Sequence, residues 1–294
     1  MDSCELLIVG GGAAGIAAAK AAAKAGAERI VLAEQGPRLG GVLLQCSHRG
    51  FGRGLSGPEY IYRMLEDFPG EAELLTGTSV LKIDRDRCAL ISGGKTGLRR
   101  LKFRQLILAA GCREITAGEL GLYGTRPRGV YTAGEAQKLM NLKGRLPESP
   151  ALILGSGDLG LIMAAQLSAA GVKVLALVEK RERCGGSERN RLWAEKYKVP
   201  LICGATVDRV YGQTRLEGVE LLHPDTGERE LLGCKSLLLA VGYKPERELL
   251  SGLDGADWIE LCGNCKNIHP RIESVIDQSR RAGRAAWEKI RGMR

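Results

Sequence analysis

Two glycine-rich sequences in this chain are each followed, at the same distance, by an acidic residue. The first is GGGAAG at residues 10–15 and the second is GSGDLG at residues 155–160, and an apolar run precedes each. Glu34 lies 24 residues after the start of the first (34 − 10), and Glu179 lies 24 after the start of the second (179 − 155). This spacing is typical of a turn that binds the pyrophosphate of a dinucleotide, with the acid bonding a ribose. Two copies predict two dinucleotides and electron transfer between them.

Each glycine of the first sequence has its own role in such a turn. Gly10 permits the tight turn, Gly12 lets the backbone approach a pyrophosphate, and Gly15 lets a helix pack closely against the strand. Ala13 and Ala14 lie at the predicted helix N-terminus, where free N–H groups and a partial positive charge favour phosphates. The alternative interpretation is a glycine-rich turn that binds no ligand.

The second sequence predicts a site of the same kind. Gly155, Gly157 and Gly160 occupy the corresponding positions. Glu179 favours NAD over NADP, because a carboxylate bonds the 2′-hydroxyl of the ribose and repels a 2′-phosphate. However, Lys180 and the arginines at 181 and 183 follow at once, and basic groups there can accept NADP. We therefore predict NAD and leave NADP open.

Three cysteines are candidates for redox chemistry. Cys46 lies in the glycine-rich segment that starts at Gly40, where a thiol could act beside a cofactor. Cys262 and Cys265 form a C-x-x-C, the spacing of a redox dithiol or of half a zinc site. The sequence has no second C-x-x-C, so no metal site is predicted. The alternative for all three is a small packed residue, and the three isolated histidines are expected to be structural.

The predicted elements repeat in two halves. In the first half a strand at 5–9, a helix at 14–25 and a strand at 29–33 form a βαβ unit around the glycines; in the second half the strand, helix and strand are at 151–154, 159–170 and 173–178. Shorter strands follow in both halves, at 78–83, 88–91, 206–211 and 217–222, and each half closes with an apolar strand ending in glycine, at Gly111 and Gly242. A helix is predicted at 59–68 and a linker at 142–150.

The C-terminal residues 270–292 predict an amphipathic helix, because their apolar residues recur at helical spacing. This end also contains the basic cluster of the chain: Arg280, Arg281, Arg284, Lys289, Arg291 and Arg294. We interpret that cluster as a solvated helix face.

Composition limits the class of protein. The 294 residues have room for about two domains. The net charge of +9 has no nucleic-acid motif beside it, so anionic cofactors, an acidic partner or solubility explain it better than nucleic acid. No apolar run is long enough to cross a bilayer, and the acidic start, with Asp2 and Glu5, is unlike a signal peptide. Nine scattered cysteines predict a reducing, cytoplasmic location.

Longer stretches of the sequence resemble one family. They are Gly40–Cys46, Gly50–Gly52, Gly57–Tyr60, Ala110–Glu114, Gly129–Gly134 and Ile153–Gly160. With the two glycine sequences, they resemble the pyridine nucleotide–disulfide oxidoreductase superfamily over nearly the whole chain. The length is similar to that of compact members like thioredoxin reductase. The stretches are similar to the flavin/NAD subunits that accompany glycerol-3-phosphate-dehydrogenase-like proteins, and to subunits of opine oxidase and hydrogen cyanide synthase.

The resemblance implies an α/β fold of two three-layer, Rossmann-like dinucleotide-binding domains, with an NAD(P) domain at 118–242 inserted in an FAD domain made of 1–117 and 243–294. It implies an enzyme that transfers hydride between NAD(P)H and flavin, acts on a small molecule, and works with a partner dehydrogenase subunit or as a homo-oligomer. The FAD residues implied are Gly10, Gly12, Ala13, Ala14, Gly15, Glu34, Gly41, Val80, Gly111 and Asn264. The NAD residues implied are Gly155, Gly157, Asp158, Gly160 and Glu179.

The chain departs from the family at the flavin end. The last family motif contains Gly-Asp, whereas this chain has Gly263 followed by Asn264. Only 19 residues separate Gly242 from Cys262 (262 − 242 − 1), fewer than the family usually has. Two alternatives to the flavoenzyme therefore stay open: a non-catalytic scaffold subunit with weakened flavin binding, and a thiol-dependent reductase that uses Cys262 and Cys265.

Overall fold

The computed structural model describes residues 2–94 and 97–293, which contain both α-helices and β-strands. The first segment contains β1 (Asp2–Ser3), β2 (Leu6–Val9), α1 (Ala13–Lys24), β3 (Ile30–Glu34), α2 (Gly57–Leu65), β4 (Glu73–Thr76), β5 (Thr78–Asp84), β6 (Cys88–Gly93), β7 (Gly97–Lys102), β8 (Gln105–Leu108) and β9 (Cys112–Glu114), with a 3-10 helix at Gly41–Gln45.

The middle segment contains α3 (Ala117–Leu120), β10 (Tyr123–Gly124), β11 (Val130–Thr132), α4 (Ala133–Lys143), β12 (Ala151–Leu154), α5 (Asp158–Ala169), β13 (Val174–Glu179), α6 (Glu188–Glu195), β14 (Leu201–Cys203), β15 (Thr206–Tyr211), β16 (Gly218–Leu222), β17 (Arg229–Gly233), β18 (Ser236–Leu239) and β19 (Tyr243–Pro245). The last segment contains β20 (Ile259–Leu261) and α7 (Ile272–Gly292), with 3-10 helices at Glu248–Leu250 and Gly263–Cys265. Arg294, the last residue of the predicted basic cluster, lies outside the described residues.

The contacts divide the chain into two units. The first consists of Met1–Arg113 and Lys244–Arg294, and the second of Glu114–Tyr243. The second unit is therefore one continuous stretch inserted in a discontinuous first unit. Residues 142–150, predicted as a linker, contain the end of α4 and the loop to β12, all within the second unit.

The first unit has three layers. Its central sheet has five parallel strands in the order β20-β8-β2-β3-β4. Side chains alternate between the faces of β2, as the period of a strand requires: Leu6 and Ile8 pack with α1 and α7, while Leu7 packs with the core of the second sheet, β1-β7-β6-β5. α7 packs so closely against α1 at Gly283 that an added Cβ there would overlap the carbonyl oxygen of Ala18.

The second unit repeats this plan. Its central sheet is parallel, in the order β11-β18-β12-β13-β14. Ala151 and Ile153 face the core that includes residues of α4 and α5, while Leu152 and Leu154 face the second sheet, β10-β15-β16-β17. Each unit therefore has helices on one face of a parallel sheet and a smaller sheet on the other.

The predicted C-terminal amphipathic helix is present as α7. Its apolar stripe is buried, including Val275, Ile276, Ala286 and Ile290. Among the described residues, no helix combines the length and the apolar character that crossing a bilayer requires.

Candidate cofactor sites

The first glycine sequence forms a tight turn between β2 and α1. Gly10 has a φ of +105°, which disfavours any residue with a side chain. A Cβ at Gly15 would overlap the carbonyl oxygen of Gly10, so only glycine lets α1 approach the strand this closely. The N-cap residue, Gly12, supplies no side chain, and the first turn of α1 contains no acidic residue. This helix N-terminus is thus suited to an anion.

Glu34 lies at the carboxyl end of β3 and is only 9% exposed. One of its oxygens accepts a hydrogen bond from the backbone N–H of Gly11 at 2.7 Å, and the other from that of Gly36 at 2.6 Å. An ionised carboxylate has about four acceptor positions. These two bonds hold Glu34 against the glycine turn and leave it acceptor capacity for ribose hydroxyls.

The structure brings two distant loops to this turn. Gly12 forms a parallel bridge with Gly40, and a Cβ at Gly41, where φ is +55°, would lie 3.1 Å from the Cα of Gly12. A Cβ at Gly263, next to Asn264, would lie 2.6 Å from the Cβ of Ala14 in the first turn of α1. Residues 41 and 264, predicted to share a site with the first glycine sequence, therefore lie around it.

The remaining predicted FAD residues occupy different settings. Gly111 has a φ of +77°, and a Cβ there would meet no atom within 4 Å. Val80 is half-buried in β5 and packs against the core shared by the two sheets of the first unit. Asn264 uses its side-chain oxygen to accept a hydrogen bond from the backbone N–H of His269 at 3.1 Å. Its amide nitrogen lies 3.7 Å from the Cys112 sulfur.

The second glycine sequence has the same geometry. Gly155 has a φ of +103°, and a Cβ at Gly160 would overlap the Gly155 carbonyl oxygen. Gly157 is the N-cap of α5, and a Cβ there would meet no atom within 4 Å. The carboxylate of Asp158 accepts hydrogen bonds from the backbone N–H of Ser187, the N-cap of α6, at 2.8 Å and from Nδ2 of Asn190 in α6 at 2.7 Å. This carboxylate is therefore held by hydrogen bonds within the second unit.

Glu179 differs from Glu34 in how its carboxylate is bonded. It accepts hydrogen bonds from the N–H and the hydroxyl of Ser156, at 3.0 and 2.6 Å. It also accepts bonds from the backbone N–H of Arg181 at 3.1 Å and from its guanidinium, Nε at 2.9 Å and Nη2 at 3.2 Å. Burial raises the pKa of Glu179, but the bonds from Arg181 and Ser156 outweigh it and lower the pKa to about 2. The acid of the second site is thus ionised and paired with a cation.

Sequence reasoning missed this pairing. The basic residues after Glu179 were interpreted only as possible contacts for a 2′-phosphate, whereas Arg181 turns back onto the acid. The loop continues over the glycine sequence, since the N–H of Gly185 donates to the Ser156 hydroxyl at 2.9 Å. The close spacing of Glu179 and Arg181 is the one signal in the sequence that pointed to an ion pair.

The three candidate cysteines are buried thiols. Burial raises the pKa of Cys46 and of Cys262 to about 12, and it also raises that of Cys265. Cys265 Sγ donates to the Leu108 carbonyl at 2.9 Å, and Cys46 Sγ to the Val42 carbonyl at 3.4 Å. A nucleophilic thiolate needs a lowered pKa and access, so these observations argue against redox roles. No metal-binding group of three His, Cys, Asp or Glu residues exists within residues 2–94 and 97–293.

Comparison with known proteins identifies the family. Residues 4–264 match the family of pyridine nucleotide-disulphide oxidoreductases. That match covers most of the 294 residues, so the chain belongs to this family. Its members bind FAD and NAD(P)H, and the predictions of an FAD- and NAD(P)-dependent oxidoreductase are confirmed at the level of the family.

Individual relatives include proteins named as enzyme subunits. The chain is 28% identical over 276 residues to hydrogen cyanide synthase subunit HcnB of Pseudomonas protegens, covering 84% of this chain and 58% of that protein. It is 30% identical over 190 residues to an opine oxidase subunit from Agrobacterium tumefaciens, covering 60% of this chain and 37% of that protein. The chain thus spans less than two thirds of the length of either relative.

A solved structure confirms the fold. The crystal structure of T. acidophilum thioredoxin reductase superimposes with a TM-score of 0.78 at 18% identity, covering 98% of this chain and 99% of that one. At this identity the likeness shows the fold alone. The prediction of an α/β protein with two Rossmann-like domains is therefore confirmed, while the assignment of a cofactor to each domain and to each residue stays a prediction.

Proposed function

We propose that the first unit binds FAD, that the second binds NAD(P)H, and that the protein transfers hydride between them. The observation that carries this proposal is the equivalence of the two glycine turns. In each turn the first glycine has a positive φ and the second is the helix N-cap. The third glycine packs against the carbonyl oxygen of the first, and a buried glutamate accepts a hydrogen bond from the turn. When bound, the two cofactors supply the redox chemistry, and the protein supplies position and electrostatics.

The residues of the first unit fit FAD. The uncapped start of α1, with Gly12, Ala13 and Ala14, would hold the pyrophosphate, and Glu34 would bond a ribose. The space at Gly111 would admit the cofactor close to the backbone. Asn264 would face the flavin end through its amide nitrogen, because its oxygen is already bonded to His269.

The fit of the flavin end also weighs against the scaffold hypothesis. Despite the short connection, β20 still pairs in parallel with β8, and the backbone N–H of Cys262 bonds the Leu108 carbonyl at 3.1 Å. The loop with Asn264 is therefore held at the edge of the sheet where the first glycine turn lies. Loss of the acidic side chain removes a charge from this loop but leaves its placement intact.

The residues of the second unit fit a nicotinamide dinucleotide. Gly157 at the N-cap of α5 leaves room for a pyrophosphate. Glu179 would bond the adenine ribose, but Arg181 already neutralises its charge. A carboxylate neutralised in this way repels a 2′-phosphate less than a free one does. We therefore propose that both NAD and NADP are accepted and that Arg181 sets the balance.

The wider role is proposed from the relatives. Proteins named as subunits of hydrogen cyanide synthase and opine oxidase match this chain. We propose that it is the FAD- and NAD(P)-binding part of a dehydrogenase for a small molecule such as an amine, amino acid, opine or polyol phosphate. It would work with a dehydrogenase partner subunit or as a homo-oligomer. We also propose a reducing, cytoplasmic location, because the nine cysteines are scattered and odd in number, unlike the disulfide framework of a secreted protein.

An anaerobic titration tests this proposal. The purified full chain is reconstituted with FAD, its flavin spectrum is recorded, and NADH or NADPH is added, followed by an artificial electron acceptor. We expect a bound flavin that the nicotinamide bleaches and the acceptor restores. A chain that retains no flavin would favour the scaffold hypothesis. Turnover that disappears when Cys262 and Cys265 are both replaced by Ser, with the flavin still bound, would favour the thiol reductase.

A further inference from the structure

A basic groove crosses the helical face of the first unit. It has a volume of about 870 Å³ and lies among α1, α2 and α7, with contributions from the loops around Gly52 and Pro69. It is separate from the residues assigned above to the cofactors. We call it the basic groove, and its charged lining residues are Lys20, Lys24, Arg53, Arg63, Arg280, Arg284 and Asp67.

Three helices each present one face to this groove. The lining residues are 17, 20, 21, 23 and 24 in α1, and 60, 63 and 64 in α2, followed by 67. In α7 they are 276, 280 and 284. Spacings of three, four and seven or eight residues place side chains on the same face of a helix. The groove is therefore built by regular elements rather than by the positions of loops.

The charge of the groove is strongly one-sided. Six of its lining residues are cationic, and Asp67 is the single acid among them. Asp67 lies 4.0 Å from Lys20, and Asp277 beside the groove lies 3.5 Å from Arg280. Within the described ranges, Lys24, Arg63 and Arg284 form no salt bridge. Cations that form no salt bridge attract an anionic ligand to the groove.

The groove also has apolar lining. Ala17 and Ile276 are buried core residues, at 3% and 5% exposure, and Met64 and Leu55 are half-buried beside them. An apolar base with cationic edges matches an amphipathic helix whose exposed face is acidic, the helix-in-groove form of recognition. A flexible methionine suits such a surface, because it can adapt to the side chains that pack on it.

We propose that the basic groove binds an acidic amphipathic helix of a partner protein. A second copy of this chain fits poorly, because a twofold contact through this face would bring two cationic surfaces together. Single-stranded nucleic acid needs a series of aromatic rings for stacking, and Tyr60 is the single aromatic residue of the lining. The proposal rests on the groove alone and stands whether or not the cofactor assignments hold.

Binding of a designed peptide tests the proposal. The probe is a fluorescent peptide of about 18 residues, or five helical turns, with Leu on one face and Glu on the rest. Its anisotropy is followed as the full chain is added. The test variant combines Lys24→Glu, Arg63→Glu and Arg284→Glu, one change in each helix of the groove. The matched control combines Arg126→Glu, Lys138→Glu and Arg145→Glu, exposed cations of the second unit.

We expect the peptide to bind the unaltered chain and the control variant with similar affinity. The groove variant should bind about tenfold more weakly or worse, and added salt should weaken the binding that remains. Circular dichroism and the Tm establish that both variants are folded. Equal losses in both variants, or no binding to the unaltered chain at low salt, would overturn the proposal.

Two further results would replace the proposed partner with another. A helix-incompatible Glu/Gly peptide of equal charge, or tripolyphosphate, binding as tightly as the amphipathic probe would show a general anion site. A dimer in analytical ultracentrifugation that the groove substitutions dissociate would show that a second copy occupies the groove. Each outcome contradicts an acidic amphipathic helix as the occupant.

Discussion

The ion pair between Glu179 and Arg181 lies where the two nicotinamide coenzymes differ. We predict that Arg181→Gln shifts the ratio of kcat/KM for NADH to that for NADPH about tenfold or more towards NADH. The variant removes a cation that attracts the 2′-phosphate and leaves the Glu179 charge free to repel it. Steady-state diaphorase assays with both coenzymes measure the ratio. Arg191→Gln, which changes an arginine paired with Glu195 at 3.6 Å, serves as the control. An unchanged ratio in Arg181→Gln would show that Arg181 does not choose the coenzyme.

Glu179 also gives the fold a dependence on pH. Its pKa in the folded protein is about 2, below the ordinary value of 4.5, so its stabilising effect is fully present above pH 4.5 and is lost as pH falls towards 2. Glu179→Gln should destabilise the protein by about 1–3 kcal/mol at neutral pH, because the donors of Ser156 and Arg181 lose a charged acceptor. The difference should shrink as the pH approaches 2. Urea unfolding at several pH values measures it; a gap that does not narrow with acid would contradict the assignment.

A comparison of Glu34 with Glu179 shows why the settings of single residues could be predicted only in part. The acids at 34 and 179 and the glycines around them could be assigned because backbone geometry demands these residue types at these positions. The different bonding of Glu179 could not be predicted, because it depends on the side chains of Ser156 and Arg181. Cys262 and Cys265 have the spacing of a redox pair, and only their burial distinguishes them from one.

At the scale of elements, the helix of each βαβ unit packs very close to the glycine turn before it, because Gly15 and Gly160 have no side chain. We predict that Gly15→Ala and Gly160→Ala each destabilise the protein by about 1–3 kcal/mol or more, because the added methyl group overlaps a backbone carbonyl. Gly292→Ala, at the end of α7 with no atom within 4 Å of the added Cβ, should change stability by less than about 0.5 kcal/mol. Denaturant unfolding compares the three variants.

The site affected should also differ between the two glycine variants. Gly15→Ala should weaken FAD retention, whereas Gly160→Ala should weaken nicotinamide binding and leave the flavin spectrum intact. Loss of flavin from both variants to the same degree would mean that the two turns do not serve separate cofactors.

Elements with a strong local pattern could be predicted, and strands without one could not. The buried strands β2 and β12 and the helices after them follow from continuous apolar runs and glycines. In contrast, β7 is rich in basic residues and β17 is almost wholly exposed, so neither has the alternation that marks a half-buried strand. They form because a neighbouring strand supplies hydrogen bonds, which is information from another part of the chain.

For the whole molecule, the two units differ in whether one continuous stretch of chain supplies all their elements. The second unit is one stretch, Glu114–Tyr243, with its own parallel sheet and its own buried cores on both faces. The first unit needs two separate stretches, since β20 and α7 come from residues that follow the second unit. A continuous stretch with a complete core is able to fold alone.

We therefore predict that residues 114–243, expressed alone, unfold in one cooperative transition and bind NAD(H) or NADP(H) without flavin. Every layer of this unit lies within the stretch, so the native fold can form. Its Tm should rise when coenzyme is added, because a ligand that binds only the native state stabilises that state.

Residues 1–113 alone lack β20 and α7 and should show exposed apolar surface, which a hydrophobic dye detects. Joining residues 1–113 to 244–294 through a short flexible linker should restore folding and FAD binding. If the shortened stretch 1–113 binds FAD as well as the joined protein does, then the C-terminal segment, with Asn264 and α7, has no part in the flavin site.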